Sequence, residues 1–149
     1  MKKILSLCCC VAFLFLSCSP SGEKVSVPEV VKTKFETLYP KAGNPKWELE
    51  DGKYEASFKQ DSIESSVIFS ADGNVIQSET AIDVAQLPQP VKDYLTSQFG
   101  NQKIEEAEKI TNSNGNVTFE AEVGTTDYLF DANGQFIGKE DEEDAKEKE

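Results

Sequence analysis

The sequence lacks histidine and arginine, so its Lys+Arg total of 15 is entirely lysine. Without histidine there is no Ser–His or Cys–His nucleophile, no imidazole base near neutral pH and no ordinary zinc site. Without arginine there is no bidentate clamp for phosphate or carboxylate groups. The 27 acidic residues bring the formal net charge to −12, and such a chain does not attract nucleic acid, whose binding depends largely on neutralising phosphates. What remains is carboxylate chemistry, cation binding by oxygen ligands, or no catalysis.

Cysteine is scarce, and all 4 cysteines lie within the first 18 residues. Two lysines precede the apolar run Ile4–Leu16, which matches a secretory signal core and is too short to span a bilayer, since spanning takes about 20 residues. The run leads into Leu-Phe-Leu-Ser-Cys18, which resembles a bacterial lipobox. We therefore predict a lipoprotein signal peptide at residues 1–17 and lipidation of Cys18. The alternatives are a plain signal peptide and a buried N-terminal helix.

Cleavage after Ser17 would leave Cys18 as the last cysteine, so the exported domain would have no disulfide. Such a domain needs its own hydrophobic core, and the remaining chain is long enough to form one. Residues 18–26 are mostly small and polar, which favours a lipid-anchored tether. Residues 141–149 are rich in acids without an apolar anchor, and we expect an acidic disordered tail there. The alternative for this tail is a cation-buffering segment.

The rest of the chain is predicted to be an internal repeat, with one copy at residues 27–82 and the other at residues 83–140. Apolar, proline and turn residues recur at offsets of 60 to 65 positions along the printed sequence. The matching segments are Val27–Lys32 with Leu87–Lys92, Tyr54–Ala56 with Phe119–Ala121, and Ile68–Gly73 with Leu129–Gly134.

Each copy begins with helical spacing of apolar residues and continues with period-two alternation. Ser26-x-x-Glu29 has the form of a capping box for the first helix, and Gly100 suits the C-cap of the second. Asp-Gly and Asn-Gly pairs separate the alternating segments, as in tight hairpins. One of these segments, Ile104–Ile110, is a weak strand signal. We therefore predict an α+β fold, in which a helix plus about four antiparallel strands occurs twice and forms one antiparallel sheet with two helices on one face.

These features together resemble the PepSY-like, β-lactamase-inhibitor-like family of bacterial envelope lipoproteins. The family's domains end a strand with phrases close to Val67–Gly73 and Tyr128–Gly134 of this chain. The resemblance covers roughly Val27 to Lys139, and its motifs are structural rather than catalytic. It implies tandem helix-plus-sheet units, and periplasmic binding or inhibition of another protein as the class of function.

The Asp-Gly and Asn-Gly loops contain oxygen ligands, yet they lack the glutamate that closes an EF-hand loop, so we interpret them as turns rather than calcium sites. Glu55 and Glu120 occupy equivalent positions in the two copies and alternate away from the core. We expect both carboxylates to be solvated. A carboxylate pair could in principle hydrolyse a glycoside, and a carboxylate-dependent hydrolase is kept as a third class of function.

The candidate partner-binding surface lies on the sheet face away from the helices. Alternation places Ile68 and Leu129 there, and Ile76 and Ile137 are out of phase with their core-facing neighbours. We predict that these four residues form an aliphatic patch rimmed by charges that include Glu55 and Glu120, as partner surfaces often do. The alternative is that they pack under a loop or stabilise cross-strand neighbours.

The resulting hypothesis is a non-enzymatic lipoprotein, held on the membrane by the lipid on Cys18, that binds and in one version inhibits a protein partner through its open sheet face. No cofactor, no metal and no nucleic acid are expected. The location is the cell envelope, facing the periplasm or the cell surface from the inner or outer membrane. The alternative function is a periplasmic lipoprotein that binds a small ligand or acts as a peptide chaperone.

Overall fold

The computed structural model describes residues 25–141 of the chain. The predicted signal peptide at 1–17, the lipidation site Cys18, most of the tether and all but the first residue of the acidic tail lie outside these residues. No helix in the described range is long and apolar enough to cross a membrane.

A helix followed by four strands occurs twice, which confirms the predicted α+β class. All eight strands form one antiparallel sheet whose strand order follows the chain. The first helix with its four strands is called the first unit, and the second helix with its four strands is called the second unit. The elements are α1 (Glu29–Leu38), β1 (Lys46–Glu50), β2 (Lys53–Gln60), β3 (Ile63–Phe69), β4 (Val75–Ala81), a 3₁₀ turn (Val84–Gln86), α2 (Gln89–Phe99), β5 (Glu106–Asn112), β6 (Val117–Val123), β7 (Thr126–Asp131) and β8 (Phe136–Asp141).

Each helix buries its apolar stripe against the strands of its own unit. In the first unit Val31 and Phe35 of α1 pack with Val67 and Phe69 of β3. The second unit repeats this arrangement with Val91 and Leu95 of α2, which pack with Ala107, Ala121 and Phe130. These strand residues alternate onto the same side of the sheet, so both helices cover one face.

The start of α1 differs from the prediction. The prediction of a capping box at Ser26 is wrong, because the N-cap is Pro28 and no side chain caps it. The Pro28 carbonyl already accepts from the amides of Val31 and Lys32, so Glu29 falls at the first helical position instead of the third. A capping box does form between Asp83 and Gln86, in the turn before α2. Gly100 is the C-cap of α2, as predicted.

The first strand of the second unit begins two residues later than its predicted start and ends two residues beyond its predicted end. Ile104 packs against the apolar core before the strand begins. The strand continues to Asn112, whose Oδ1 accepts from the amides of Asn114 and Asn116 and so closes the following turn. The end of β5 therefore depends on hydrogen bonds to the Asn112 side chain, which the spacing of apolar residues does not predict.

The turns between β3 and β4 and between β7 and β8 pack against the helix N-termini. Gly73 lies beside Val30 of α1, and Gly134 lies beside Pro90 and Val91 of α2, so an added Cβ at Gly134 would be 3.0 Å from the Cβ of Pro90. Both glycines have positive φ, at 83° and 78°. The family-like phrase that ends in Asp-Gly or Asn-Gly thus serves to dock each helix on its hairpin.

Replacing Gly134 with alanine is expected to destabilise the fold more than replacing Gly115. Gly115 has nearly the same φ, 79°, but an added Cβ there meets nothing within 4 Å. Both variants bear the cost of a left-handed backbone, and only Gly134→Ala adds overpacking of about 1–3 kcal/mol. Urea unfolding of both variants measures the difference. Equal losses would show that the approach to α2 is not a tight contact.

The open face of the sheet as the candidate binding surface

The open face is the side of the sheet opposite α1 and α2. Cross-strand partners share a side, so the register shows which residues lie there. Across the middle of the first unit they are Lys46, Ser57, Ser66 and Glu79. Glu79 is in turn paired with Ile110, which continues the row into the second unit.

Three carboxylates of the open face are buried. The exposed fractions are 7% for Glu55, 5% for Glu79 and 3% for Glu120. The expectation that Glu55 and Glu120 are solvated is therefore wrong. Glu55 lies directly opposite Ile68, and Glu120 opposite Leu129. With strands about 4.8 Å apart, neighbouring side chains cover these carboxylates even though no helix does.

Glu79 is held by side chains from its own strand and the next. Its Oε1 accepts from Gln77 Nε2 at 2.8 Å, and its Oε2 accepts from the Ser66 hydroxyl at 3.2 Å. These hydrogen bonds from β3 and β4 hold the Glu79 side chain on the open face.

Burial raises the pKa of Glu55 to about 7, and the negative charge of Glu79 adds to the effect. A hydrogen bond from Ser66 acts in the opposite direction, while Glu48 and Glu50 raise the pKa further. Glu55 therefore takes up a proton near neutral pH, where an ordinary glutamate is fully ionised.

The four aliphatic residues of the predicted patch lie in two pairs. Ile68 and Ile76 are on the neighbouring strands β3 and β4, and Leu129 and Ile137 are on β7 and β8. Strands β5 and β6 separate the pairs. Leu129 is buried, whereas Ile137 is exposed.

Ile76 and Ile137 sit at equivalent irregularities of the sheet. The register passes from Ile68 opposite Gln77 to Phe69 opposite Val75, which leaves Ile76 as the extra residue. Ile137 is left out in the same way. A β-bulge of this kind re-aims side chains, so simple alternation does not describe these two positions.

The second unit presents a row of acids across four strands. Glu106 is paired with Glu122, Glu122 with Asp127, and Asp127 with Glu140. Burial and the charge of Glu64 raise the pKa of Glu106. Four acids therefore share one side of the sheet in neighbouring register positions.

The Asp-Gly and Asn-Gly loops, which contain oxygen ligands, are built as turns. Asp131 Oδ1 accepts from the amides of Asn133 and Gln135 at 2.8 and 2.9 Å. Asp72 accepts from the Asn74 side chain at 2.6 Å, and the Ser70 hydroxyl lowers the pKa of Asp72. Among residues 25–141, no three His, Cys, Asp or Glu side chains are grouped so that they could hold a metal ion.

Sequence reasoning missed Glu79, Ser66, Ile110 and the full extent of the acidic row. Alternation locates each strand but not its neighbours in the sheet, so it does not predict which side chains surround Glu79. The long-range pairing of β4 with β5 places Ile110 opposite Glu79, and no local sequence pattern predicts that pairing. Alternation within Glu106–Ile110 was the one available signal for the acids of β5.

Comparison with known proteins supports the fold. A family model described as "Putative beta-lactamase-inhibitor-like, PepSY-like" matches residues 23–77 and 52–138. A search of curated proteins finds no significant match.

Solved structures show the same architecture at low sequence identity. A protein from Bacteroides eggerthii described as "putative periplasmic" is 18% identical with a TM-score of 0.71, over 78% of this chain and 90% of that one. A DUF2874 family protein from Bacteroides ovatus is 19% identical with a TM-score of 0.69, over 79% and 89%. A BLIP-like protein from Bacteroides fragilis is 23% identical with a TM-score of 0.63, over 80% and 89%.

Replacing Glu55 with glutamine is expected to change how stability depends on pH. Because the pKa of Glu55 is raised on folding, the folded state binds more protons than the unfolded state between about pH 4.5 and 7. Wild-type stability should therefore fall as the pH rises through this window. Above pH 7, Glu55→Gln should be more stable than wild type by about 1–2 kcal/mol.

Urea unfolding at pH 5, 6, 7 and 8 tests this expectation, with Glu36→Gln on the exposed side of α1 as the matched control. The control should keep the wild-type slope. Parallel curves for wild type and Glu55→Gln would contradict the raised pKa.

Proposed function

Since the chain belongs to the PepSY-like, β-lactamase-inhibitor-like family, we propose that it is a non-enzymatic envelope lipoprotein that binds another protein through the open face of its sheet. The partner would present a basic surface to the acidic row of the second unit. The names of the structural neighbours, a periplasmic protein and a BLIP-like protein, support export and protein binding as the class.

The observation that carries this proposal is a contrast between equivalent rows of the two units. In the first unit the row reads Lys46, Ser57, Ser66 and Glu79. In the second unit the corresponding row reads Glu106, Glu122, Asp127 and Glu140. The first row carries one positive and one negative charge, so the fold does not require acids at these positions.

Other acids extend the negative surface around this row. Glu108 faces Glu120 on the same side of the sheet. The lysines of these strands, Lys109 and Lys139, are instead paired with Phe119 and Tyr128, whose side chains belong to the helix-facing core. Among the described residues of β5 to β8, the open face therefore carries acids and no lysine.

A cationic partner would relieve the repulsion that the acids create. Complementary charge across an interface raises the rate of association and selects the partner. Ile137 of β8 is exposed, and it would supply apolar contact area near the charged row. Apolar contact area close to charged groups is typical of binding surfaces.

The double variant Glu122→Ser/Asp127→Ser should lose the partner and keep the fold. It installs on the second unit the serines that occupy the equivalent row positions of the first. A photo-cross-linking residue at Thr118, on the open face of β6, should give a partner adduct in intact cells that the double variant abolishes. The free energy of unfolding should change by less than about 1 kcal/mol.

The matched control places the same cross-linking residue at Leu38, which is exposed on α1. The adduct should be absent there. An adduct of equal yield at Leu38, or one that survives in the double variant, would overturn the sheet-face proposal.

We also propose that Cys18 carries the lipid anchor that holds the protein on the membrane. Cys18→Ser should abolish incorporation of radiolabelled palmitate and move the protein from the membrane fraction to the periplasmic fraction. Cys10→Ser, within the predicted signal core, serves as the control and should retain both properties. Labelling that persists in Cys18→Ser would contradict the assignment.

A further inference from the structure

We propose that Glu55 and Glu79, on either side of Ser66, form a proton-binding site on the open face, and that uptake of the proton weakens attachment of a cationic partner. The site itself stands on the geometry of β2, β3 and β4. Its effect on attachment rests on the proposed function of the face.

The geometry places two carboxylates around one hydroxyl. Ser66 is directly opposite Glu79 in the register, and Glu55 lies diagonally across from Ser66, beside Ile68. Ser66 has one hydroxyl proton, and it donates to Glu79 Oε2. The same proton cannot fully serve both carboxylates. A proton added to Glu55 gives this carboxyl group a hydrogen-bond donor of its own.

Both glutamates are more than nine-tenths buried as whole residues. Two ionised carboxylates close together in a shielded place repel each other, so one of them takes up a proton more readily than an isolated glutamate does. Glu79 already accepts from both Gln77 and Ser66, whereas burial raises the pKa of Glu55. The proton therefore goes to Glu55.

The remaining charged groups on this face do not change the assignment of the proton to Glu55. Lys46 pairs with Glu48 at 3.1 Å, and Lys59 pairs with Glu64 at 2.5 Å. Ile110 of β5 lies next to Glu79 on its other side. The charged groups that face the pair from all the surrounding strands are Lys46, Glu48 and Glu50 on β1, Lys53 and Lys59 on β2, Glu64 on β3 and Glu108 on β5.

The charge of the open face consequently changes near neutral pH. Above the pKa of Glu55, which is about 7, the face carries one more negative charge than below it. A cationic partner should bind more tightly at pH 8 than at pH 6, by about two- to five-fold, because the Glu55 charge would act on the partner without a direct ion pair and such weak attractions are worth less than about 1 kcal/mol.

The proton site is tested without any partner by following the side-chain carboxyl ¹³C signals during an NMR pH titration. Glu55 should titrate near pH 7 in wild type, and Ser66→Ala should move its midpoint upward, because the nearby Ser66 hydroxyl lowers the pKa of Glu55 even while its proton is shared with Glu79. A midpoint at the ordinary glutamate value of about 4.3 would overturn the site.

The effect on attachment is tested with N-acetylated octalysine as the cationic probe, at fixed ionic strength and at pH 6 and 8. Wild type should show tighter binding at pH 8, Glu55→Gln should show no difference, and Glu106→Gln should keep the difference while binding more weakly at both pH values. An unchanged pH difference in Glu55→Gln would overturn the link to binding.

The two proposals fail in distinguishable ways. If wild type does not bind octalysine at either pH, the cationic partner and its proton control fail, whereas a Glu55 midpoint near 7 would still establish the proton site. If octalysine binds and the Glu55 midpoint is low, the proton site fails and the acidic binding surface stands.

Discussion

The structure depends on one constraint: two short helices cover only one face of an eight-stranded sheet. Val31, Phe35, Val91 and Leu95 bury the apolar side of the sheet, and the other side receives no helix among the described residues. That side must therefore be built from residues that tolerate water and still shield the backbone. Its long acidic side chains do both, because their stems cover neighbouring strands while their carboxylates remain polar.

The same constraint explains why carboxylates become buried without a covering element. A side chain in the middle of a sheet has neighbours on both adjacent strands and along its own strand. Glu120 lies between Glu108 and Leu129, and these neighbours reduce its exposed fraction more than strand alternation suggests. Burial of this kind removes water from around the carboxylate. This desolvation is the largest cause of the raised pKa of Glu55.

Much of the fold was predictable because its signals are local. Helical spacing located α1 and α2, Gly100 marked a helix end, and Asp-Gly and Asn-Gly marked the hairpins. The candidate site was only partly predictable. Alternation assigned Glu55 to the open face but could not report its burial, and Glu79 meets Ser66 and Ile110 only through pairing between strands. The bulges at Ile76 and Ile137 interrupt the period on which such reasoning depends.

The duplication separates what the two units share from what differs between them. Gly73 and Gly134 dock both helices in the same way, so the frame is alike in the two units. Ser66 and Asp127 occupy equivalent positions on that frame, yet Ser66 donates a hydrogen bond to Glu79, whereas Asp127 adds a charge between Glu122 and Glu140. Since one frame accepts either residue, stability does not account for the acids of the second unit. The electrostatic surface proposed for a cationic partner would account for them, and it would assign different roles to the two halves of a single sheet.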